Sequence, residues 1–354
     1  MTATLPPIHP PAASAATYPR LVADIGGTNA RFGWLAGPGQ AVAQVHKLPV
    51  PDFAGPADAA RHYLGGLQAA LGAAYRAPRH AAFAVATAVA GDRIAFTNSH
   101  WDFSRSQVQA ALGLQSLLML NDFESLALSL PCLGEAQLRR HGAVPAGQPA
   151  LMDNRVGSVL AVVGPGTGLG VSAVVRTASG WVALPGEGGH ATLAPADDLE
   201  SAVLAQVRRQ FAHVSAERLL SGIGLPVLHQ ALGVVQGTAP AALTAAQIVD
   251  SGNAAGAGHD ALCSQTLDLF CALLGGFAGN VALTVGARGG LFIGGGIAPR
   301  FADRFFASAF RERFEAKGRF RPYLAAIPTA LITDTLAALT GAALAIEQQV
   351  APGA

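Results

Sequence analysis

Lysine, cysteine, aromatic side chains and net charge are all scarce in this chain. Lys47 and Lys317 are its two lysines among 23 basic residues, and neither stands near a glycine-rich turn. That excludes the lysine-bearing P-loop, whose lysine must reach the β- and γ-phosphates. Cys132, Cys263 and Cys271 are too few and too scattered for a disulfide framework or a structural zinc site. A reducing cytoplasm is the expected setting. Charged residues are 13% of the 354, and they balance to 23 − 22 = +1, which leaves no basic surface for nucleic acid. No run reaches the ~20 apolar residues that span a bilayer; the nearest, 159–175, is broken by glycine and proline. Residues 1–19 carry Pro6, Pro7, Pro10, Pro11 and Pro19 without a basic start or a continuous apolar stretch. They read as a disordered extension and not as a signal peptide.

Apolar residues and glycine are plentiful. At 51% apolar the chain can bury ample cores, and its length allows two domains. Two glycine-rich turns each follow a short apolar run: Leu21-Val22-Ala23-Asp24-Ile25 leads into Gly26-Gly27-Thr28-Asn29, and Val159-Leu160-Ala161-Val162-Val163 leads into Gly164-Pro165-Gly166-Thr167-Gly168. Each turn carries a threonine and opens into a second apolar run. Glycine lets backbone N–H groups approach an anion closely. Two turns of one design suggest related halves gripping one polyphosphate. A doubly wound dinucleotide fold fits poorly, because its glycine turn leads from a strand into a helix.

The patterning predicts strands at 21–25, 30–35 and 41–46, a helix over 56–74, strands at 82–86 and 93–97, a serine-capped helix over 104–112, a strand at 117–120 and a helix over 123–130. Strands are then expected at 158–163, 168–175 and 181–184, and helices over 197–210, 241–249 and 259–285. A strand at 291–293, a helix from Pro299 and a final helix over 335–347 complete the reading. A strand meander followed by alternating helix and strand thus occurs twice, the order of a duplicated α/β unit.

With these residues in view, the chain closely resembles the bacterial glucokinases, in the zinc-free branch of the hexokinase–actin superfamily. The matching stretches are 24–31, Asn121-Asp122-Phe123, 166–170, Leu184-Pro185-Gly186-Glu187-Gly188-Gly189-His190, 213–222, Gly294-Gly295-Gly296-Ile297-Ala298-Pro299-Arg300 and Lys317-Gly318-Arg319-Phe320. Two departures stand out: the proline-rich extension, and Ala88, where the family usually has proline. The cysteine-rich zinc motif of the repressor-type sugar kinases is absent. The resemblance implies an α/β, two-domain ribonuclease H-like (actin/hexokinase) fold with a cleft between duplicated halves. The small domain would be 20–132 with 334–354 and the large one 133–333. It also implies ATP-dependent phosphorylation of glucose at the 6-hydroxyl, a cytoplasmic homodimer, and no membrane or nucleic-acid partner. A kinase of mannose or fructose, or a non-catalytic sugar sensor on the same fold, is the alternative.

Spacing alone leaves Asp122 equally open as a general base or as a helix N-cap. The resemblance implies the base, which takes the proton of the attacking hydroxyl. It implies glucose binding by Asn98, Asn121, Asp122, Glu187, His190 and Glu217, since vicinal hydroxyls need donors and acceptors in fixed directions. Asp24 would hold Mg²⁺ through water. Gly26, Gly27, Thr28 and Asn29 would cradle the terminal phosphates of ATP from one half, and Gly166, Thr167 and Gly168 from the other. Gly294, Gly295 and Gly296 would receive adenosine. For each glycine stretch an ordinary turn is the competing account. His62, His80, His100, His213 and His229 lack metal-ligand spacing and read as structural or surface residues.

Overall fold

The computed structural model describes residues 15–96, 99–141 and 155–350. The chain starts with a meander, β1 (Arg20–Ile25), β2 (Asn29–Leu35) and β3 (Ala43–Pro49), and continues through α1 (Pro56–Leu71) and β4 (His80–Val85). A small hairpin, β5 (Arg93–Ala95) and β6 (Asp102–Ser104), precedes α2 (Arg105–Ala111), β7 (Ser116–Asn121) and α3 (Asp122–Ser129). After β8 (Leu138–Arg140) come β9 (Val159–Pro165), β10 (Leu169–Thr177) and β11 (Gly180–Leu184). Helices α4 (Asp198–Val207), α5 (Leu225–Val235), α6 (Ala245–Asn253) and α7 (Ala261–Val285) follow, then β12 (Gly290–Ile293). The last elements are α8 (Ala302–Ala307), α9 (Phe310–Glu315), α10 (Arg321–Ala325), β13 (Thr329–Ile332) and α11 (Ala337–Val350).

Besides the β5–β6 hairpin, two larger sheets result among the described residues, in the orders β3-β2-β1-β4-β7 and β11-β10-β9-β12-β13-β8. Counted within its own sheet, with β8 left aside, each begins with the third, second and first strands, followed by the fourth and fifth. The duplication inferred from the sequence is therefore visible as a repeated strand order, with β8 added antiparallel to β13 at one edge. In the first sheet, β1 and β2 pair antiparallel, while β4 runs parallel to both β1 and β7.

By contact the chain divides into a unit of residues 1–133, 174–185 and 335–354, and a unit of 134–173 and 186–334. The segment 174–185 thus groups with the first unit, where the sequence offers no reason to separate it from 133–333. Trp181 explains the grouping: its backbone N–H and C=O both bond to the side-chain amide of Gln348 on α11.

The first sheet is covered on both faces, as parallel strands require. Leu21, Ala23 and Ile25 alternate onto one face with Phe32 and Phe83, against Ala59, Tyr63 and Leu67 of α1. Val22, Leu35 and Ala82 face the other way, onto Leu339, Ala342 and Ile346 of α11. Helix α1 forms because Ala59, Ala60, Tyr63 and Leu67 recur at helical spacing behind Pro56 in the first turn. It stops at Gly72, whose φ of 52° suits glycine. Helix α11 crosses α3 closely, since a side chain at Gly341 would clash with the Ser125 carbonyl. Ala15–Thr17 form a short 3-10 turn, and buried Tyr18 donates its hydroxyl to Glu347 at 2.7 Å. The described end of the expected disordered extension is therefore ordered against the first unit; residues 1–14 lie outside the described residues.

In the second unit α7 is the central core helix. Gly275 and Gly279 let α9 approach so closely that a side chain at either would clash with a backbone carbonyl. The expectation that no segment could span a bilayer needs correction, because α7 is long and apolar enough by length and composition. Within the unit it behaves as a core helix: Leu267, Phe270, Leu274 and Phe277 join the main core cluster. Burial pushes the Cys271 thiol up to about 12 and that of Cys263 to about 11, which keeps both inert. Helix α5 and strands β8 and β13 are additions that the sequence pattern did not show.

Candidate active site

In the first unit the C-terminal ends of the parallel strands β1, β4 and β7 lie side by side. The register aligns Ile25, Val85 and Asn121 in one row. Ligands of open α/β sheets bind at such carboxyl ends. With strands ~4.8 Å apart, the backbones of Gly26 and Asp122 stand roughly 10 Å from each other. No residue separates β7 from α3, so Asp122 is the first residue of the helix and half-buried.

The N-cap is Asn121, not Asp122. Its Oδ1 accepts the Phe123 N–H at 2.9 Å, and Glu124 Oε2 accepts the Asn121 N–H at 2.9 Å, completing a capping box. Such a cap is worth ~1 kcal/mol. The cap that spacing offered to Asp122 thus falls to its neighbour, and Asp122 is the first helical residue. Asn121 Nδ2 also donates to the Thr87 carbonyl at 3.2 Å. The amide nitrogen carries a second hydrogen that this bond does not use. Asp122 Oδ1 accepts from the Phe123 N–H at 2.9 Å. Asn98 lies outside the described residues. The stretch around Ala88 is tied down by Thr87 Oγ1 donating to the Ala95 carbonyl at 3.0 Å, and by Phe96 N–H to the Trp101 carbonyl at 3.1 Å.

Asp24 on β1 pairs in register with Arg31 on β2, whose guanidinium donates to Oδ2 at 2.9 Å. Burial pushes the Asp24 carboxyl above its ordinary range, and Arg31 opposes this. The turn beyond it closes through Gly26 N–H to the Asn29 carbonyl at 2.9 Å, with Thr28 exposed at the tip. A Cβ at Gly26 would find only an ordinary contact, 3.6 Å from Asn29 O, and Gly26 has no positive φ. Nothing in the fold requires glycine there, which fits room kept for a ligand.

The second unit has its own convergence at the ends of β9 and β12. Gly166 N–H bonds the Gly168 carbonyl at 2.9 Å, and Gly222 N–H bonds the Gly166 carbonyl at 2.7 Å. Gly294 N–H reaches the Val163 carbonyl at 3.0 Å, and Ile297 N–H the Pro165 carbonyl at 3.2 Å. The stretches 164–168, 221–224 and 294–297 are thus laced together. Gly295 has φ 77° and packs against Pro165, so its glycine is demanded by the fold. A Cβ at Gly166 or Gly296 would meet nothing within 4 Å. Thr167, like Thr28, is exposed at its tip.

His190 and Glu217 come together beside that loop, and Glu187 stands in the same short turn as His190. Gly189 lies against the Leu169 carbonyl so tightly that any side chain would clash, which turns His190 outward. Glu217 N–H bonds the Gly189 carbonyl at 2.9 Å, and Glu217 Oε1 stands 3.9 Å from His190 Nε2. The other oxygen, Oε2, accepts the Leu169 N–H at 2.8 Å, and a side chain at Gly168 would clash with it. Glu187 is exposed and its carbonyl accepts the His190 N–H at 3.0 Å. The sequence reading missed the supporting groups: Arg31, Thr87, Glu124, and the Leu169 N–H. The charge alternation of Asp24 and Arg31 across a predicted hairpin, and the N-x-x-E spacing of Asn121 and Glu124, were the available signals.

Among the described residues no group of three or more His, Cys, Asp or Glu is placed to hold a metal ion. A single carboxylate such as Asp24 suits magnesium, which binds through one or two carboxylates, water and substrate phosphates. The scattered histidines have structural partners. His80 Nδ1 bonds Ser116 Oγ at 2.9 Å, His229 Nδ1 bonds Thr266 Oγ1 at 3.1 Å, and His213 Nε2 bonds Thr192 Oγ1 at 3.0 Å.

The family model described as Glucokinase matches residues 21–349. A glucokinase of Chromobacterium violaceum is 47% identical over 335 residues, covering 95% of this chain and 91% of its own length. One from Neisseria meningitidis serogroup C is 44% identical over 335 residues, covering 95% of this chain and 97% of its own. The crystal structure of a glucokinase from an Antarctic psychrotroph superposes with a TM-score of 0.81 at 38% identity, over 93% of this chain and 98% of that one. The repeated α/β sheet order, the paired glycine turns and these matches agree, and the chain belongs to the glucokinase family.

Proposed function

We propose that this protein transfers the γ-phosphoryl group of ATP to the 6-hydroxyl of D-glucose, giving glucose 6-phosphate and ADP. The observation that carries the reading is Asp122: an acidic side chain at the junction of β7 and α3, on the same sheet edge as the Gly26 turn, with helix capping assigned to its neighbour. A carboxylate there accepts the hydroxyl proton as the oxygen–phosphorus bond forms and the bond to ADP breaks. Asn121 offers an amide hydrogen, and Glu187, His190 and Glu217 offer acceptors and a donor to the remaining hydroxyls. Leaving a buried partner unpaired penalises the wrong sugar.

The turns Gly26–Asn29 and Gly166–Gly168, whose Gly26 and Gly166 N–H groups already bond within the turn, would cradle the terminal phosphates, and Gly294–Gly296 the adenosine. Asp24, kept beside Arg31, would hold Mg²⁺ through water. When bound, that ion would neutralise charge on the phosphates. The same reading includes a cytoplasmic homodimer; sedimentation of the purified protein tests the dimer, and titration with chelator tests the metal.

A glucose-dependent ADP-release assay is the direct test. Asp122→Ala should lose roughly 10²–10⁴ in kcat while glucose binding, followed by calorimetry, survives. Wild-type turnover in that variant would remove Asp122 from the chemistry. A higher kcat/KM for fructose or mannose than for glucose would reassign the sugar.

A further inference from the structure

We propose that Glu124 is a positioning residue for the reaction, acting through Asn121 to hold the Asp122 carboxylate in its working direction. The inference rests on the reading of Asp122 as the base. It starts from the absence of any loop between β7 and α3. The chain passes from strand to helix at Asn121 alone, with φ −63° and ψ 150°. The direction of the Asp122 side chain is therefore set by the orientation of the peptide on either side of Asn121.

Three contacts fix that orientation. Glu124 Oε2 takes the Asn121 N–H at 2.9 Å, at the last register position of the ladder between β7 and β4. Asn121 Nδ2 holds the Thr87 carbonyl just beyond the end of β4 at 3.2 Å. The Phe123 N–H is shared, with Asn121 Oδ1 and Asp122 Oδ1 each 2.9 Å away. The cap and the proposed base thus use the same donor. Whatever holds Asn121 in place also sets where the first oxygen of Asp122 rests. An acceptor on the third helical residue is needed for this, and it need not be charged. Misplacing a reacting group by about 1 Å can cost ~10²-fold in rate, so a loosened junction is expected to show in kcat before it shows in binding.

The test uses the full-length protein with Glu124→Ala, Glu124→Gln and Asp122→Asn. Steady-state kinetics are measured for both substrates, with glucose binding by calorimetry and thermal unfolding alongside. Glu124→Ala should lower kcat at least about tenfold, with glucose affinity and both KM values within about threefold of wild type. Glu124→Gln keeps an amide oxygen able to accept the Asn121 N–H, and should restore kcat to within about threefold. A purely structural cap would shift the unfolding temperature and leave kcat alone. Wild-type kcat in Glu124→Ala overturns the proposal. So does a Glu124→Gln variant as slow as the alanine, or a matching collapse of glucose binding in the alanine variant. Asp122→Asn separates the two readings: full turnover there sinks the base itself, whatever Glu124 does.

Discussion

The two threonine-bearing glycine turns look alike in sequence and differ in what surrounds them. The Gly26 turn closes on itself through Asn29, and a methyl group at Gly26 would fit without displacing anything. The Gly166–Gly168 turn is bonded by Gly222, crowded by Glu217 and followed by the Leu169 carbonyl that excludes a side chain at Gly189. One motif therefore has two causes. In the first turn the fold makes no demand for glycine at Gly26; in the second, part of the glycine content serves the protein's own packing. Composition cannot separate these causes, because a glycine left open for a ligand and one jammed against a carbonyl are spelled the same.

Substitutions should pull that contrast apart. The largest effect is expected at Gly189→Ala, where backbone must move: a loss of stability of ~1–3 kcal/mol, read as a lowered unfolding temperature, with activity falling too. An unchanged melting curve would show that this stretch tolerates a side chain. Gly168→Ala pushes only the end of Glu217, so the backbone should hold. Losing the charged hydrogen bond to Leu169 should cost ~1.5–3 kcal/mol of stability at most and raise KM for glucose about tenfold or more. Gly26→Ala should leave unfolding untouched and raise KM for ATP by about tenfold, equivalent to ~1.4 kcal/mol. If it melts early and binds ATP normally, the two turns have been assigned the wrong way round.

The smallest effect concerns pH and compares the units' histidines. Burial lowers the pKa of His80 in the first unit and of His141 and His229 in the second, below the ordinary 6.5. Folded, each ring takes a proton less readily than in the unfolded chain, so stability is full above pH 6.5 and declines as pH falls through it. His229→Asn keeps a donor for Thr266 and should flatten that decline; a slope unchanged between pH 6.5 and 5 would place the acid sensitivity elsewhere.

The sheets were legible because Val159–Val163 and Leu21–Ile25 are short, apolar and punctuated by glycine. Helix α5 was not, since Leu225, Val227, Leu228, Ala231, Leu232, Val234 and Val235 leave little polar contrast from which a 3.6-residue period could be read. At the candidate site, the sequence offered the cap to Asp122, whereas the structure places it at Asn121. Only backbone geometry decides between neighbours. The grouping of 174–185 with the first unit depends on Trp181 meeting Gln348, a contact between distant positions with no local signature.

Helix α11 has a consequence for how the protein is made. One face of the first sheet, with Val22, Leu35 and Ala82, is covered by Leu339, Ala342 and Ile346. During translation those strands emerge well before α11. Until α11 follows, this apolar surface waits bare, a natural target for chaperones and a hazard for aggregation. A premature stop before Ala337 would release a chain whose oldest strands never receive their lid.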